Sequence, residues 1–496
     1  MRSGKGMRKS GVLLPISSIP SRYGIGTFSK ESYEFVDFLQ QAGQKLWQIL
    51  PLGPTGYGDS PYQSFSTFAG NPYYIDLEEF IEKGLLTEKE CREADFGDSS
   101  GYVDYEKIFH SRFQLLRKAY ERSSILDDKD FCDFVQENSF WLEDYCLYMA
   151  IKDSMNGASW ITWEENIKLR RKEAMERCKA ALAEEIHCYQ FQQYFFQKQW
   201  NKLKQYANEK GIEIVGDIPI YVALDGADTW ANTELFQLDQ EGIPTAVAGC
   251  PPDAFSATGQ LWGNPLYRWD YHKETGYDWW VKRIAHCFKL YDVVRIDHFR
   301  GFDEYYAIPW GAETAETGHW EKGPGMGFFH TLEEKLGKRQ VIAEDLGFLT
   351  ESVIQLVENT GYPGMKILQF AFDSREESDY LPHNYVRNGV CYTGTHDNDT
   401  TPHWFSALNE HDKNFAKRYM NLEDDNMACW ELIRLAHASV ADTCIIPLQD
   451  YLELGEEARM NVPSTLGTNW KWRLDEGRLT EELAERLKKL TRLYGR

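Results

Sequence analysis

The stretch Tyr291 to Phe302 reads YDVVRIDHFRGF, an apolar run that finishes in Arg-Ile-Asp-His-Phe-Arg. Burying any of these charged groups unpaired costs several kcal/mol, so the cluster needs partners or a task. Other apolar runs end in the same manner: VIAED delivers Glu344, YTGTHDND delivers His396 and Asp397, and IVGDIP delivers Asp217. Side chains alternate along a strand, so Arg295 and Asp297 should point inward with Val293 while Ile296 faces outward. A guanidinium beside Asp297 lowers the proton affinity of that carboxyl and favours its ionised form. Glu344, across the same mouth from Asp297 and Asp397, should be driven the other way by neighbouring anions and burial, and keep its proton near neutral pH. An ionised and a protonated carboxyl on opposite sides of a small cleft is the pair that glycosidic bond cleavage uses. Any one of these acids alone reads equally well as a structural partner of Arg295, Arg300 or a loop amide. Three of them at different strand ends, with His298 and His396 adjacent, favour chemistry. A bound metal is the rival use of such residues, but there is no HExxH or EF-hand spacing, and Arg295 beside Asp297 would repel a cation. Neither a metal nor a cofactor is expected.

Such residues work only if a scaffold gathers strand ends at one mouth. Short apolar runs alternate with helical patterns over most of the chain, which implies βα units and a parallel sheet. The candidate strands are Gly11–Ile16, Leu46–Leu52, Ile212–Val222, Tyr291–Asp297, Gln340–Leu346, Met365–Phe372, Val390–Asp397 and Thr443–Gln449. Eight such runs match an α/β protein built as a closed (β/α)8 TIM barrel, whose chemistry sits at the C-terminal ends of the strands. Residues 53–71, GPTGYGDSPYQSFSTFAGN, form a long loop directly after the second strand, of a length that is usually functional. Residues 76–210 turn helical and charged, and are expected as a mostly helical insertion on the upper side of a single catalytic barrel spanning 1–496. No internal repeat, low-complexity tract or linker interrupts the chain.

The 496 residues carry a net charge of −23, and no Lys/Arg cluster has the density of a nucleic-acid patch, so nucleic acid and anionic membrane are excluded as partners. An acidic surface suits a neutral substrate better than a phosphorylated one. Aromatic content of 14%, with 16 Trp and 28 Tyr, supplies flat apolar faces for sugar rings, although most of these side chains are expected in the core. The ten cysteines show no CxxC pair and read as reduced thiols of a cytoplasmic protein. The basic start before VLLPI is too short in its apolar part for a signal peptide, and no run is long enough to span a membrane.

With these motifs in view, the sequence closely resembles the 4-α-glucanotransferases of glycoside hydrolase family 77, the amylomaltases or disproportionating enzymes of the α-amylase superfamily. The resemblance runs through GVLLPISSIPSRYGIG, LPLGPTGYGDSPYQSFSTFAGNPYYIDL, GDIPIYVA, PPDAFSATGQLWGNPLY, RIDHFRGF, AEDLG, KILQFAFD, YTGTHDNDT and IIPLQDYLELGEEARMNVPSTLGTNWKWRL. It implies a barrel without the C-terminal β-domain of amylases, in keeping with the helical ending DEGRLTEELAERLKKLTRLYG. It also implies a retaining double displacement that moves segments among maltooligosaccharides, starch- or glycogen-derived α-1,4-glucans and glucose. Carried over by motif, Asp297 is the nucleophile, Glu344 the general acid/base and Asp397 the transition-state stabiliser. Arg295 supports the nucleophile, His298 and His396 hold sugar hydroxyls, Tyr62 stacks on the same sugar ring, and Asp217 and Asp373 match further acidic positions. Residues 248–265 are expected as an active-site lid loop, with Asp253, Phe255 and Trp262 against the substrate. Two positions depart from the family pattern: Ala254, where an aromatic is frequent, and Ser464, where Gly is common and a small backbone adjustment is expected. A hydrolytic α-glucosidase or amylase would use the same carboxylates. A non-catalytic glucan-binding barrel would be expected to have lost one of them, and all three are present.

Overall fold

The computed structural model describes residues 8–496 apart from 57, 253–255 and 348. Its strands are β1 (Lys9–Leu13), β2 (Leu46–Gln48), β3 (Glu213–Pro219), β4 (Ala246–Cys250), β5 (Gln260–Pro265), β6 (Val293–Asp297), β7 (Glu304–Pro309), β8 (His319–Lys322), β9 (Val341–Ala343), β10 (Gly364–Ile367), β11 (Gly389–Tyr392) and β12 (Thr443–Pro447). Eight of them close a parallel barrel in the order β1-β12-β11-β10-β9-β6-β3-β2. Each of the eight expected runs supplies one of these strands. The sheet stops earlier than the runs do, because residues such as Leu368–Phe370 and Thr393–Asp397 leave the ladder and turn over the mouth.

Alternation within the strands sorts the core into two sets. Leu13, Leu46, Val215, Val293, Ile342, Met365, Val390, Tyr392 and Ile445 fill the barrel. Val294 and Ile296 belong to the larger core shared with the outer helices. Arg295 and Asp297 therefore follow Val293 inward, as the alternation requires.

The helices between β2 and β3 run from Glu78–Glu82 to the long Ala183–Glu209. That last helix does not stay with the upper layer. Its Tyr206 hydroxyl donates to Asp37 in the helix Lys30–Gln41 at 2.8 Å, and the Trp200 indole N–H donates to the Leu290 carbonyl at 3.0 Å. Its C-terminal half thus serves as an outer helix of the barrel, so the helical region expected over 76–210 ends inside the barrel wall. Among the described residues no sheet strand follows β12. The closing helix Glu481–Leu493, capped by the Thr480 side chain, returns to pack on Lys30–Gln41.

Four strands were not foreseen. β5-β4-β7-β8 form a second, antiparallel sheet, supplied by the connections that follow β3 and β6 and hence standing on the mouth side. The expected lid loop 248–265 is mostly a hairpin of this sheet: β4 and β5 pair, and 251–259 connects them. Gly and Pro spaced through AGCPPDAFSATGQLWGNP mask the alternation that a hairpin would otherwise display. At Ser464 no adjustment away from the glycine conformation occurs; φ stays at 65°, in the left-handed region that glycine adopts most readily.

Gly216, beside Asp217 on β3, is required by packing. A Cβ there would lie 2.2 Å from the Tyr291 ring, at the entry to β6. Gly216→Ala is expected to destabilise the protein by about 1–3 kcal/mol through overpacking, read as a lowered thermal midpoint. An unchanged midpoint would show that β3 and β6 are not held together at this contact.

Candidate active site

Arg295 projects from β6 into the barrel and is 2% exposed. Its Nη1 donates to both carboxylate oxygens of Asp217, each at 2.7 Å, and Nη2 donates to Asp297 Oδ1 at 3.0 Å. Asp217, fully buried on β3, also accepts the Tyr62 hydroxyl at 2.8 Å. The buried cation is therefore shared, and its closer partner is Asp217. This corrects the expectation for Asp297. Burial is the strongest influence on that carboxyl and pushes it up; Arg295 pulls it down, but Asp217 and Asp397 add to the rise, and the result is about 6.

Glu344 follows directly after β9. Its Oε2 accepts the His298 backbone N–H at 2.6 Å and its Oε1 accepts the Leu346 N–H at 2.9 Å. These bonds favour the anion, yet burial first and the Asp297 carboxylate second raise Glu344 to about 7. The donor at 298 is aimed by the backbone. His298 sits in the left-handed region at φ 54°, ψ 49°, so the chain leaving β6 turns its next N–H, that of Phe299, onto the Glu344 carbonyl at 3.0 Å. Strained backbone of this kind clusters at functional sites, and here it joins the ends of β6 and β9.

Asp397 lies in the turn after β11. Asn461 Nδ2 donates to its Oδ1 at 2.6 Å, and His396 Nε2 stands 3.3 Å from Oδ2. Burial pushes this carboxyl up, but His396 and Asn461 outweigh burial and hold it well below the usual carboxylate range. The same contact raises His396 against its own burial. His298, by contrast, is driven down to about 3 by burial and by Arg300, which leaves a neutral imidazole. His298 Nε2 and His396 Nδ1 are buried without a hydrogen-bond partner among the described residues. Side-chain exposures of 29% for Asp297 and 43% for Asp397 mark where the network opens to the cleft.

Around these carboxyls stand aromatic walls. The Tyr62 ring stacks on His396 at 5.2 Å and 20°, and its hydroxyl lies 2.9 Å from His396 Nε2. One face of Tyr62 is thus already covered by protein. Trp262, on β5, meets His298 edge to face at 4.8 Å. Its hairpin is tied down through Asn264, which donates to the Val222 carbonyl at 2.8 Å and accepts from Gln63 at 3.1 Å. Asp373 stands apart from the network, its carboxylate engaged by Arg375. Asp253, Phe255 and Ala254 lie outside the described residues.

Several neighbours lie in stretches that carry the family resemblance, although no role at the site was expected of them. Trp470 packs on Tyr62 at 5.8 Å and on His396 at 6.0 Å. Tyr221 lies against Trp262 and His298 at 6.3 Å each. Asn461 and Arg459 reach the Asp397 turn from beyond β12. The stretch NVPSTLGTNWKW carries part of the resemblance, but nothing in its spacing points back to a turn so far upstream.

A family profile described as 4-alpha-glucanotransferase, glycoside hydrolase family 77, matches residues 14–480. The chain is 51% identical over 483 residues to the 4-alpha-glucanotransferase of Clostridium butyricum, covering 97% of this chain and 99% of that protein. It is 46% identical over 492 residues to the 4-alpha-glucanotransferase of Thermus thermophilus, covering 97% of each. Among solved structures, the amylomaltase from Streptococcus agalactiae in complex with acarbose matches with a TM-score of 0.96 at 43% identity, over 99% of both chains. The chain therefore belongs to the 4-alpha-glucanotransferases of glycoside hydrolase family 77, enzymes that act on α-1,4-glucans.

Proposed function

We propose that the enzyme moves α-1,4-glucan segments between maltooligosaccharides, or onto glucose, by a retaining double displacement. Asp297 is the nucleophile and attacks the anomeric carbon. Glu344 gives its proton to the leaving glycosidic oxygen, and a glucosyl ester forms on Asp297. Glu344, now ionised, takes the proton of an incoming sugar hydroxyl, which attacks the same carbon and releases Asp297. Asp397 stabilises the positive charge that develops on the sugar ring, and His298 and His396 hold its hydroxyls.

The observation that carries this reading is the unequal setting of two carboxyls at one mouth: Asp297 accepts from the Arg295 guanidinium at 3.0 Å, whereas Glu344 accepts from backbone N–H groups. Asp297, beside Arg295, loses its proton at lower pH than Glu344, which has no cation in hydrogen-bond contact among the described residues. The nucleophile is thus ionised while the acid still holds its proton. Transfer outruns hydrolysis only where the acceptor is bound and water is poorly placed. The hairpin β4–β5, with Trp262 set against His298, supports such shielding. The cytoplasm is the proposed setting, since the ten cysteines show no CxxC pair and read as reduced thiols.

Maltotriose separates transfer from hydrolysis. Transfer yields glucose and longer chains at constant total reducing ends; a steady rise in reducing ends would reject transfer as the main activity. Asp297→Asn is expected to keep the fold and lower kcat by roughly three or more orders of magnitude. Glu344→Gln should slow maltooligosaccharides far more than a glycosyl fluoride, whose leaving group needs little protonation. Equal losses on both substrates would remove Glu344 from the acid role.

The pH profile follows from the same pair. Activity requires ionised Asp297, so it falls as pH drops through about 6, and it requires protonated Glu344, so it falls as pH rises through about 7. Asp217 raises Asp297, so Asp217→Asn should move the acid limb of kcat/KM to lower pH. A limb that moves upward would show that the neighbouring anion does not act on Asp297.

A further inference from the structure

We infer that Asn461 is a positioning residue for Asp397 and that Arg459 holds it in register; this rests on the reading of Asp397 as the transition-state carboxylate. The Asp397 side chain is partly open to the cleft, and the torsion that orients a carboxylate plane is a broad one. Among the described residues, two side chains reach its oxygens: His396 on Oδ2, and Asn461, whose Nδ2 donates to Oδ1 at 2.6 Å. An amide N–H only donates. It fixes Oδ1 as an acceptor and leaves the remaining lone pairs facing the sugar, without competing for the carboxylate's proton.

Arg459 ties donor and acceptor together. Its Nη2 donates to the Asp397 carbonyl at 3.2 Å, and its Nε donates to the Asn461 carbonyl at 3.0 Å. Nη1 reaches Asp399 Oδ2 at 3.3 Å, an oxygen that His403 Nδ1 also contacts at 2.6 Å. The segment that carries Arg459 and Asn461 is anchored in turn. Gln449, just after β12, donates to the Ala458 carbonyl at 3.2 Å, and the Trp470 N–H donates to the Met460 carbonyl at 2.7 Å. The turn after β11 is thus locked to a segment beyond β12 through one guanidinium, and the lock ends on the carboxylate oxygen. Preorganised dipoles of this kind act by removing reorganisation at the moment of reaction, so their loss should fall on kcat.

The test uses the full-length enzyme on maltotriose, with Asn461→Asp, Asn461→Ala, Arg459→Lys and Asp397→Asn assayed in parallel. Asn461→Asp keeps the shape but sets two carboxyls at hydrogen-bond distance, where they share a proton. It should lower kcat at pH 7 roughly ten- to a hundredfold, leave KM nearly unchanged and move the acid limb of kcat to higher pH. Asn461→Ala should show the kcat loss without the displaced limb, and it carries the test should the Asp variant fail to fold. Arg459→Lys, which keeps the charge and part of the donation, should retain more activity than either. Wild-type kcat and acid limb in Asn461→Asp would overturn the inference. So would a loss confined to KM, which would make Asn461 a sugar contact instead. A near-normal Asp397→Asn would instead overturn the role given to Asp397, whereas an inactive Asp397→Asn beside a normal Asn461→Asp defeats this inference alone.

Discussion

One guanidinium sealed inside the barrel mouth governs the arrangement around it. Arg295 cannot stay charged and buried without anions, and the barrel supplies two: Asp217, which takes both close contacts, and Asp297, which takes one. Division of a single cation between two carboxylates is what gives the site graded acids. Asp217 completes the ion pair, Asp297 stays partly compensated, and Glu344 is left with amide donors and an anionic neighbour. From Asp217 the contacts continue through the Tyr62 hydroxyl to His396, and from His396 to Asp397. The first two links cross between the ends of different strands and the last stays within the turn after β11, so only a closed barrel brings the whole path together.

The scaffold secures this path by backbone as much as by side chain. The Glu344 carboxyl is held by two backbone N–H groups, one from His298 at the left-handed turn and one from Leu346 after β9. Aromatic side chains then restrict access. Trp262 arrives on a hairpin of the second sheet, Tyr62 on the loop after β2, and Trp470 on the segment after β12. Three connections of different origin converge on two histidines, which leaves the strand ends free to carry charge.

Much of this was legible in the residues. The eight barrel strands follow from alternation, because a buried strand must place every second side chain in the barrel and the others against helices. The inward direction of Arg295 and Asp297 follows from the same rule, and the raised proton affinity of Glu344 was expected from burial and anionic neighbours, of which burial leads and Asp297 follows. The second sheet was not legible, since glycine and proline interrupt its pattern and its strands are short. The rise in Asp297 was not legible either. The sequence places Arg295 two residues away on the same strand, but not Asp217 on the adjacent strand, where it competes for the same guanidinium.

By itself the sequence determined the fold class and the family, and pointed to the acids proposed for catalysis, because periodicity and motif are local properties that survive without coordinates. Tertiary structure alone decided how one cation is divided, which loop restrains which carboxylate, and that Asn461 and Arg459 beyond β12 belong to a turn after β11. These are distances between residues far apart in the chain. Electrostatic and hydrogen-bond energies depend on such distances, and only the closure of the barrel sets them.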